Sequence, residues 1–422
     1  MKLKYKTLFL LTLTAVLLLS SCGLQQTASA ASERSPASLP TADGGSDGQT
    51  AALLSSVSGG ELFTERDLSG EYDAADAVFI TLNGSTAAAD SDAVRVSGSD
   101  VTITAAGTYI ISGTLDNGSV IVAADKEDKV QLVLNAVSIN SDTFAAIYIS
   151  QADKVFVTLA DGTVNRLSNG GSFIQIDDNE VDAVVFSKDD ITFNGTGTLQ
   201  ISSPAGHGIA GKDEVTITGG VYEIAAAKHA IRAKDSIAVS GGSFALAGED
   251  GLHAENSDDD TLGSILITGG DFTIRVSDDA IHAVSLLQID GGTYSITAAE
   301  GLEGTYIRLN DGTINISASD DGVNAAHKSS AYTPTVEING GSLTIVMGAG
   351  DTDGVDSNGN IIINGGTVSV TGGSSFDCDG TAQYNGGTII VNGQQVNSIP
   401  NQMMGGMRGG FGGGSRGGGG WH

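Results

Sequence analysis

From Val215 to Val391 one phrase recurs: a β-branched strand, a glycine pair and a second strand. It reads VTITGGVYEI from Val215, IAVSGGSFAL from Ile237, ILITGGDFTI from Ile265 and LQIDGGTYSI from Leu287. It continues as IRLNDGTINI from Ile307, VEINGGSLTI from Val336, IIINGGTVSV from Ile361 and YNGGTIIV from Tyr384. Gly220 to Gly242 and Gly270 to Gly292 are steps of 22 residues, and Gly292 to Gly312 is a step of 20. The longer step from Gly242 to Gly270 carries an insertion. A unit this short cannot bury its own apolar face, so successive units must stack and share a core.

Alternation with period two sorts the side chains. Val215 and Ile217 point one way, Thr216 and Thr218 the other. After the glycine pair, Tyr222, Ile224, Phe244, Leu246, Phe272 and Ile274 point inward. The glycine pair supplies a sharp bend with positive φ, which other residues resist. Less regular units begin near Val101, Val130, Val155 and Ile191. The reading is all-β: a right-handed parallel β-helix of about twelve coils, a rod of ~58 Å at the ~4.8 Å strand spacing. Leucine-rich repeats share the period but need a Leu/Asn consensus that is absent, and a β-propeller needs a period near 40 residues.

Composition agrees. The chain has 422 residues, 60 Gly, 5 Pro and only 5% aromatics, so Ala, Val, Ile and Leu must fill the core. Formal net charge is −30. This excludes nucleic acid as a natural partner, because a phosphate backbone needs Lys and Arg. An acidic polysaccharide stays open, since divalent cations sit between acidic surfaces.

The N-terminus reads as an address. Lys2, Lys4 and Lys6 precede an apolar run, Thr7 to Leu19, too short for a resident membrane span. The run ends in Leu19-Ser20-Ser21-Cys22, which resembles a bacterial lipobox. Residues 1–21 are therefore expected to be a lipoprotein signal peptide, with Cys22 lipidated. That places the chain on the extracytoplasmic face of the cell membrane. With Cys22 spent on the anchor, no internal disulfide framework is expected, and Cys378 is read as a buried small side chain. Residues 22–60 have no apolar period and read as a flexible tether, 61–400 as the β-helix, and 401–422 as a disordered Gly-rich tail. A monomer is expected.

After the second strand, units carry an acidic or His residue, then Gly or Ala, then an aliphatic. The motif runs Asp182-Ala-Val, His207-Gly-Ile, His229-Ala-Ile, Asp250-Gly-Leu and Asp279-Ala-Ile. It goes on as Glu300-Gly-Leu, Asp321-Gly-Val, Asp353-Gly-Val and Asp379-Gly-Thr. In register, bare neighbouring carboxylates would repel by roughly 3.5 kcal/mol at an effective dielectric of 20. Protonation, splayed loops or a bound cation must relieve that. Asp278, Asp320, Asp351, Asp356 and Asp377 add further oxygens. Calcium accepts six to eight oxygen ligands in loose geometry, so Ca²⁺ is the expected cofactor on these acids. Strict alternation from Val323 would turn Asp321 inward, so the column requires a bend there.

Three residues beyond the column come Arg232, His253, His282, Glu303, Asn324 and Asp356. They are expected to project outward on consecutive rungs as a polar stripe that grips an extended chain.

Several segments resemble a known family. They are Phe63-Thr-Glu-Arg-Asp-Leu-Ser-Gly-Glu-Tyr-Asp, Ala106-Gly-Thr-Tyr-Ile-Ile-Ser-Gly-Thr-Leu, Ala160-Asp-Gly-Thr-Val-Asn, the Asp-Gly-aliphatic rungs and the Gly-Met-Arg-Gly-Gly-Phe tail. The family is that of calcium-containing carbohydrate-binding proteins with a polysaccharide-lyase-like β-helix, and the similarity runs from about residue 61 to the C-terminus. The resemblance implies calcium at the acidic loops. It also implies a surface protein that binds plant cell-wall polysaccharide, cellulose or pectin.

The leading expectation is thus a calcium-dependent carbohydrate-binding lipoprotein whose partner is a polysaccharide, with no catalytic residues. A polysaccharide lyase is the alternative, with Arg232 or Lys228 as the base beside the acids. Asp278-Asp279 and Gly206-His207-Gly208 resemble pieces of a polygalacturonase signature, but in reversed order and without its Arg-Ile-Lys element. A non-catalytic adhesin or spacer, with calcium purely structural, is the remaining reading.

Overall fold

The computed structural model describes residues 62–349 and 352–400. The expected signal peptide, Cys22, the tether, the Gly-rich tail and Asp351 lie outside the described residues.

The described chain is nearly all β and forms a parallel β-solenoid of about 12 turns. One coil shows how the sequence is spent. Glu214–Ile217 lies in a first sheet, Val221–Ala226 in a second and Ile231–Ala233 in a third. Ser236–Val239 then re-enters the first sheet one coil on, parallel to the strand before it. The first sheet aligns Val215, Ile237, Ile265, Leu287, Ile307, Val336 and Ile361. All seven are fully buried. Each contributes about 1.5–3 kcal/mol of burial.

The glycine pair turns the chain from the first sheet to the second, with φ of +97° at Gly220 and +118° at Gly242. Just inside that turn the expected inward aromatics form one stack. Tyr222, Phe244, Phe272 and Tyr294 have successive ring centroids 5.0, 4.4 and 4.8 Å apart and are nearly parallel. Outside the same turn, side-chain amides bridge coils: Asn310 donates to Asp290 at 2.7 Å, Asn339 to Asn310 at 2.8 Å, Asn364 to Asn339 at 2.7 Å and Asn385 to Asn364 at 2.7 Å.

Val101, expected to open a coil of the first sheet, belongs to the third, where it pairs with Val120. Its strand, Asp100–Ile103, is the second arm of a hairpin with Val94–Ser97, which breaks the repeat. A second hairpin, Thr388–Val391 against Gln394–Val396, closes the other end through Asn392-Gly393, both at positive φ. Antiparallel ends cap a stack whose last strand would otherwise offer an open edge.

The outward row of the first sheet is not uniformly solvated. A short helix, α1 (Glu65–Leu68), begins with a capping box between Thr64 and Asp67. Asp67 takes a hydrogen bond from Thr192 at 2.6 Å and an ion pair from Lys154 at 2.9 Å. Thr218 donates to the Asp67 carbonyl. Polar side chains that alternation sends outward are therefore partly buried here, Thr192 and Thr216 fully so.

Candidate functional site

The third sheet carries the acidic column. Its core register is Val185, Ile209, Ile231, Leu252, Ile281, Leu302, Val323, Val355 and Phe376. Two residues before each aliphatic stands the column side chain, and one after it stands the stripe. The small residue between them is required by packing. A Cβ on Gly251 would lie 2.5 Å from the Ala280 carbonyl oxygen, and one on Gly322 would lie 2.5 Å from that of Gly354. The backbone bends at Ala230, Gly251 and Gly322. This bend lets residues i and i+3 meet on the outer face, as Asp321 required.

Two rungs differ from expectation. Asp182 stands one residue out of register, because Val185 and not Val184 pairs with Ile209, so Ala183 faces His207. Asp379 is not a rung: Phe376 fills the core slot after Val355, which puts Ser374 opposite Asp353 and leaves Asp379 exposed at the next turn. Asp278 and Asp320 are exposed at the preceding turn and join no cluster of ligand atoms among the described residues.

The stripe is continuous: Arg232, His253, His282, Glu303, Asn324, Asp356 and Asp377 are neighbours on successive strands. Column and stripe interlock. His253 Nδ1 lies 2.6 Å from Asp250 Oδ2, and His229 Nδ1 lies 3.0 Å from the same oxygen. His282 Nδ1 lies 2.7 Å from Asp279 and 2.8 Å from Glu303. Lys328 reaches Glu303 at 2.7 Å, and Asn324 donates to Glu300 at 3.0 Å. The rings of His207, His229, His253 and His282 stack through four coils, closest at 4.1 Å between His229 and His253.

The electrostatics follow from who has a counter-charge. Burial opposes the charge of Asp250, but the imidazoles of His229 and His253, within 3.0 Å of its Oδ2, prevail and hold its carboxyl well below the usual range. Burial likewise opposes His282, yet Asp279 and Glu303 push its pKa up to about 9. Glu300 is pushed up to about 8 by burial and by Glu303. Asp356 is pushed up to about 7, by burial and then by Asp321, Asp353 and Asp377.

Among the described residues, ligand atoms converge in four places. Two are mixed: His229, Asp250 and His253, and then Asp250, Asp279 and His282. Two are all carboxylate: Asp279, Glu300 and Glu303, and then Asp353, Asp356 and Asp377. The first acidic group already has His282 and Lys328 as counter-charges. The second has no basic partner among the described residues, where Asp353 Oδ1 is buried without a hydrogen bond. That orphaned oxygen, in an all-oxygen set, fits a hard divalent cation.

At the other end of the stripe, Arg232 shares a cavity of about 400 Å³ with Asp182, Phe186, Lys212, Lys234 and Asp258. Its Nε is buried without a hydrogen bond. Lys228 is engaged by Asp182 at 2.9 Å. Lys328 and Glu255, both contacting the stripe, were missed by sequence reasoning. Lys328 comes from an aperiodic insertion that carries no signal. Glu255 sits two residues after His253, a spacing that places both on one face and could have been read.

A family model described as carbohydrate-binding domain-containing protein matches residues 97–348 and 300–397. A carbohydrate-binding domain-containing protein of Acetivibrio thermocellus is 38% identical over 137 residues, 32% of this chain and 48% of that one. The chain thus spans about half the length of that relative. A solved structure, the polysaccharide lyase-like protein from C. thermocellum as a gadolinium derivative, is 26% identical. It covers 74% of this chain and 99% of its own, with a TM-score of 0.37. With the family model spanning most of the stacked coils, the chain belongs to the carbohydrate-binding domain-containing protein family.

Proposed function

We propose that this protein is a calcium-dependent carbohydrate-binding lipoprotein, tethered through Cys22 to the outer face of the cell membrane. Its ligand is an extended plant cell-wall polysaccharide, cellulose or pectin. One observation carries the calcium reading: Asp353, Asp356 and Asp377 bring carboxylate oxygens within 4.8 Å of one another, with no basic side chain among the described residues to balance them. The carbohydrate reading rests on family membership and on a straight polar stripe that repeats once per coil. A hard cation on the acidic end would turn a repulsive surface into one that takes the hydroxyls or carboxylates of a sugar chain.

A lyase reading keeps one supporting observation, the buried and unpartnered Nε of Arg232 facing a cavity next to the stripe. Lys228, the other candidate base, is ion-paired with Asp182 at 2.9 Å.

Pull-down on cellulose and polygalacturonate, with calcium and with chelator, tests the proposal. Retention that chelator and Asp356→Asn both abolish supports it. Retention of no glycan would favour a spacer. New ultraviolet absorbance from unsaturated uronide, lost in Arg232→Ala, would replace binding by lyase chemistry.

A further inference from the structure

The column changes donor chemistry along its length. Its distal half offers oxygen alone, while the coils from His229 to His253 offer imidazole nitrogen beside one carboxylate. Hard calcium prefers the first set; borderline cations such as zinc prefer the second.

His253 is held between two carboxylates. Its Nδ1 lies 2.6 Å from Asp250 Oδ2, and its Nε2 lies 3.2 Å from Glu255 Oε2. A neutral imidazole has one N–H, so it satisfies one of these contacts and sets a lone pair against the other. Full protonation would satisfy both, but the ring is buried and stacks between His229 and His282. A second nitrogen is in the same condition. His229 Nδ1 is buried, 3.0 Å from Asp250 Oδ2, and lacks hydrogen-bond alignment with it. His207 differs: its Nδ1 accepts from the His229 backbone N–H at 3.2 Å, and its Nε2 faces Asp182 at 3.3 Å, so a neutral ring satisfies both.

We propose that His229 Nδ1, His253 Nδ1 and Asp250 Oδ2 form a site for a borderline divalent cation of the zinc class, separate from the all-oxygen clusters. The three ligand atoms lie within 4.8 Å of one another. A cation there would be held by the lone pairs of both Nδ1 atoms together with Asp250 Oδ2. It leaves Nε2–H to donate to Glu255, the outer carboxylate contact that metal-bound histidines commonly make. Two imidazoles and one carboxylate leave a tetrahedral ion one open position.

The test uses the full-length, metal-free chain. Co²⁺ replaces zinc as a visible probe, and bound Zn²⁺ is examined by X-ray absorption. One equivalent of Co²⁺ should give tetrahedral d–d bands that survive a hundredfold excess of calcium. The zinc spectrum should show two imidazoles, with Zn–N near about 2.0–2.1 Å. Glu255→Gln should weaken binding about 10–100-fold, and a His229→Gln/His253→Gln double variant should lose it. Asp356→Asn should leave the Co²⁺ bands unchanged. The proposal is overturned if no bands appear, if calcium displaces the ion, or if the wild-type zinc spectrum contains fewer than two imidazoles. The spectroscopic outcome on the wild-type chain stands even if the double variant does not fold.

Discussion

The imidazole of His282 reaches across one coil to Glu303, Nδ1 to Oε2 at 2.8 Å, while the same nitrogen lies 2.7 Å from Asp279 on its own strand. One cation thus serves two buried carboxylates. Burial and repulsion from Glu303 raise Asp279, while the contact to His282 pulls Glu303 down against its own burial.

Replacing His282 by Ala removes that shared charge and leaves both acids buried. Breaking one partner of a buried pair costs about 3–5 kcal/mol. Denaturant unfolding at pH 7.5 should show a loss of this size. Near pH 5, where Asp279 is protonated, the loss should shrink. A loss equal at both pH values would rule out the shared-charge account.

Glu300 gives a pH dependence of definite sign. Its folded pKa, about 8, lies above the ordinary 4.5. The folded state therefore holds a proton that the unfolded state releases, and stability falls as pH rises through that window. His282, raised to about 9, acts in the same direction above its ordinary 6.5. Melting temperature measured in chelator should fall between pH 5 and 9, and Glu300→Gln should flatten the slope. An unchanged slope would show that Glu300 is not the group responsible.

Calcium at Asp353, Asp356 and Asp377 must displace the proton that Asp356 holds below about pH 7. Calorimetry at pH 6, in buffers of different ionisation enthalpy, should detect proton release of up to one per ion. At pH 9 the release should vanish and affinity should be higher. Binding heats independent of buffer at pH 6 would place calcium elsewhere.

The aromatic stack makes a prediction about packing. Phe272 lies between Phe244 and Tyr294, at 4.4 and 4.8 Å. Phe272→Ala should cost about 3–5 kcal/mol and Phe272→Leu distinctly less. The measurement is denaturant unfolding, and near-equal losses would mean that ring-on-ring contact, and not filled volume, carries the stabilisation.

The coil could be read from the sequence because its causes are local. Glycine pairs force turns, alternation assigns Val215 and Ile217 inward, and a 20–22-residue period allows only stacking. The order of Arg232, His253, His282, Glu303, Asn324 and Asp356 along the stripe follows from the same spacing. Tertiary structure decided what depends on contacts between coils. Phe376, choosing the core slot, moved Asp379 off the column; Val185 moved Asp182 by one residue. Lys328 arrives from an insertion with no period, so no local rule could place it on Glu303. The division of the column into a nitrogen-bearing half and an all-oxygen half was visible in its letters. Which of those groups already holds a counter-charge was not, because neutralisation depends on distances that exist only once the coils are stacked.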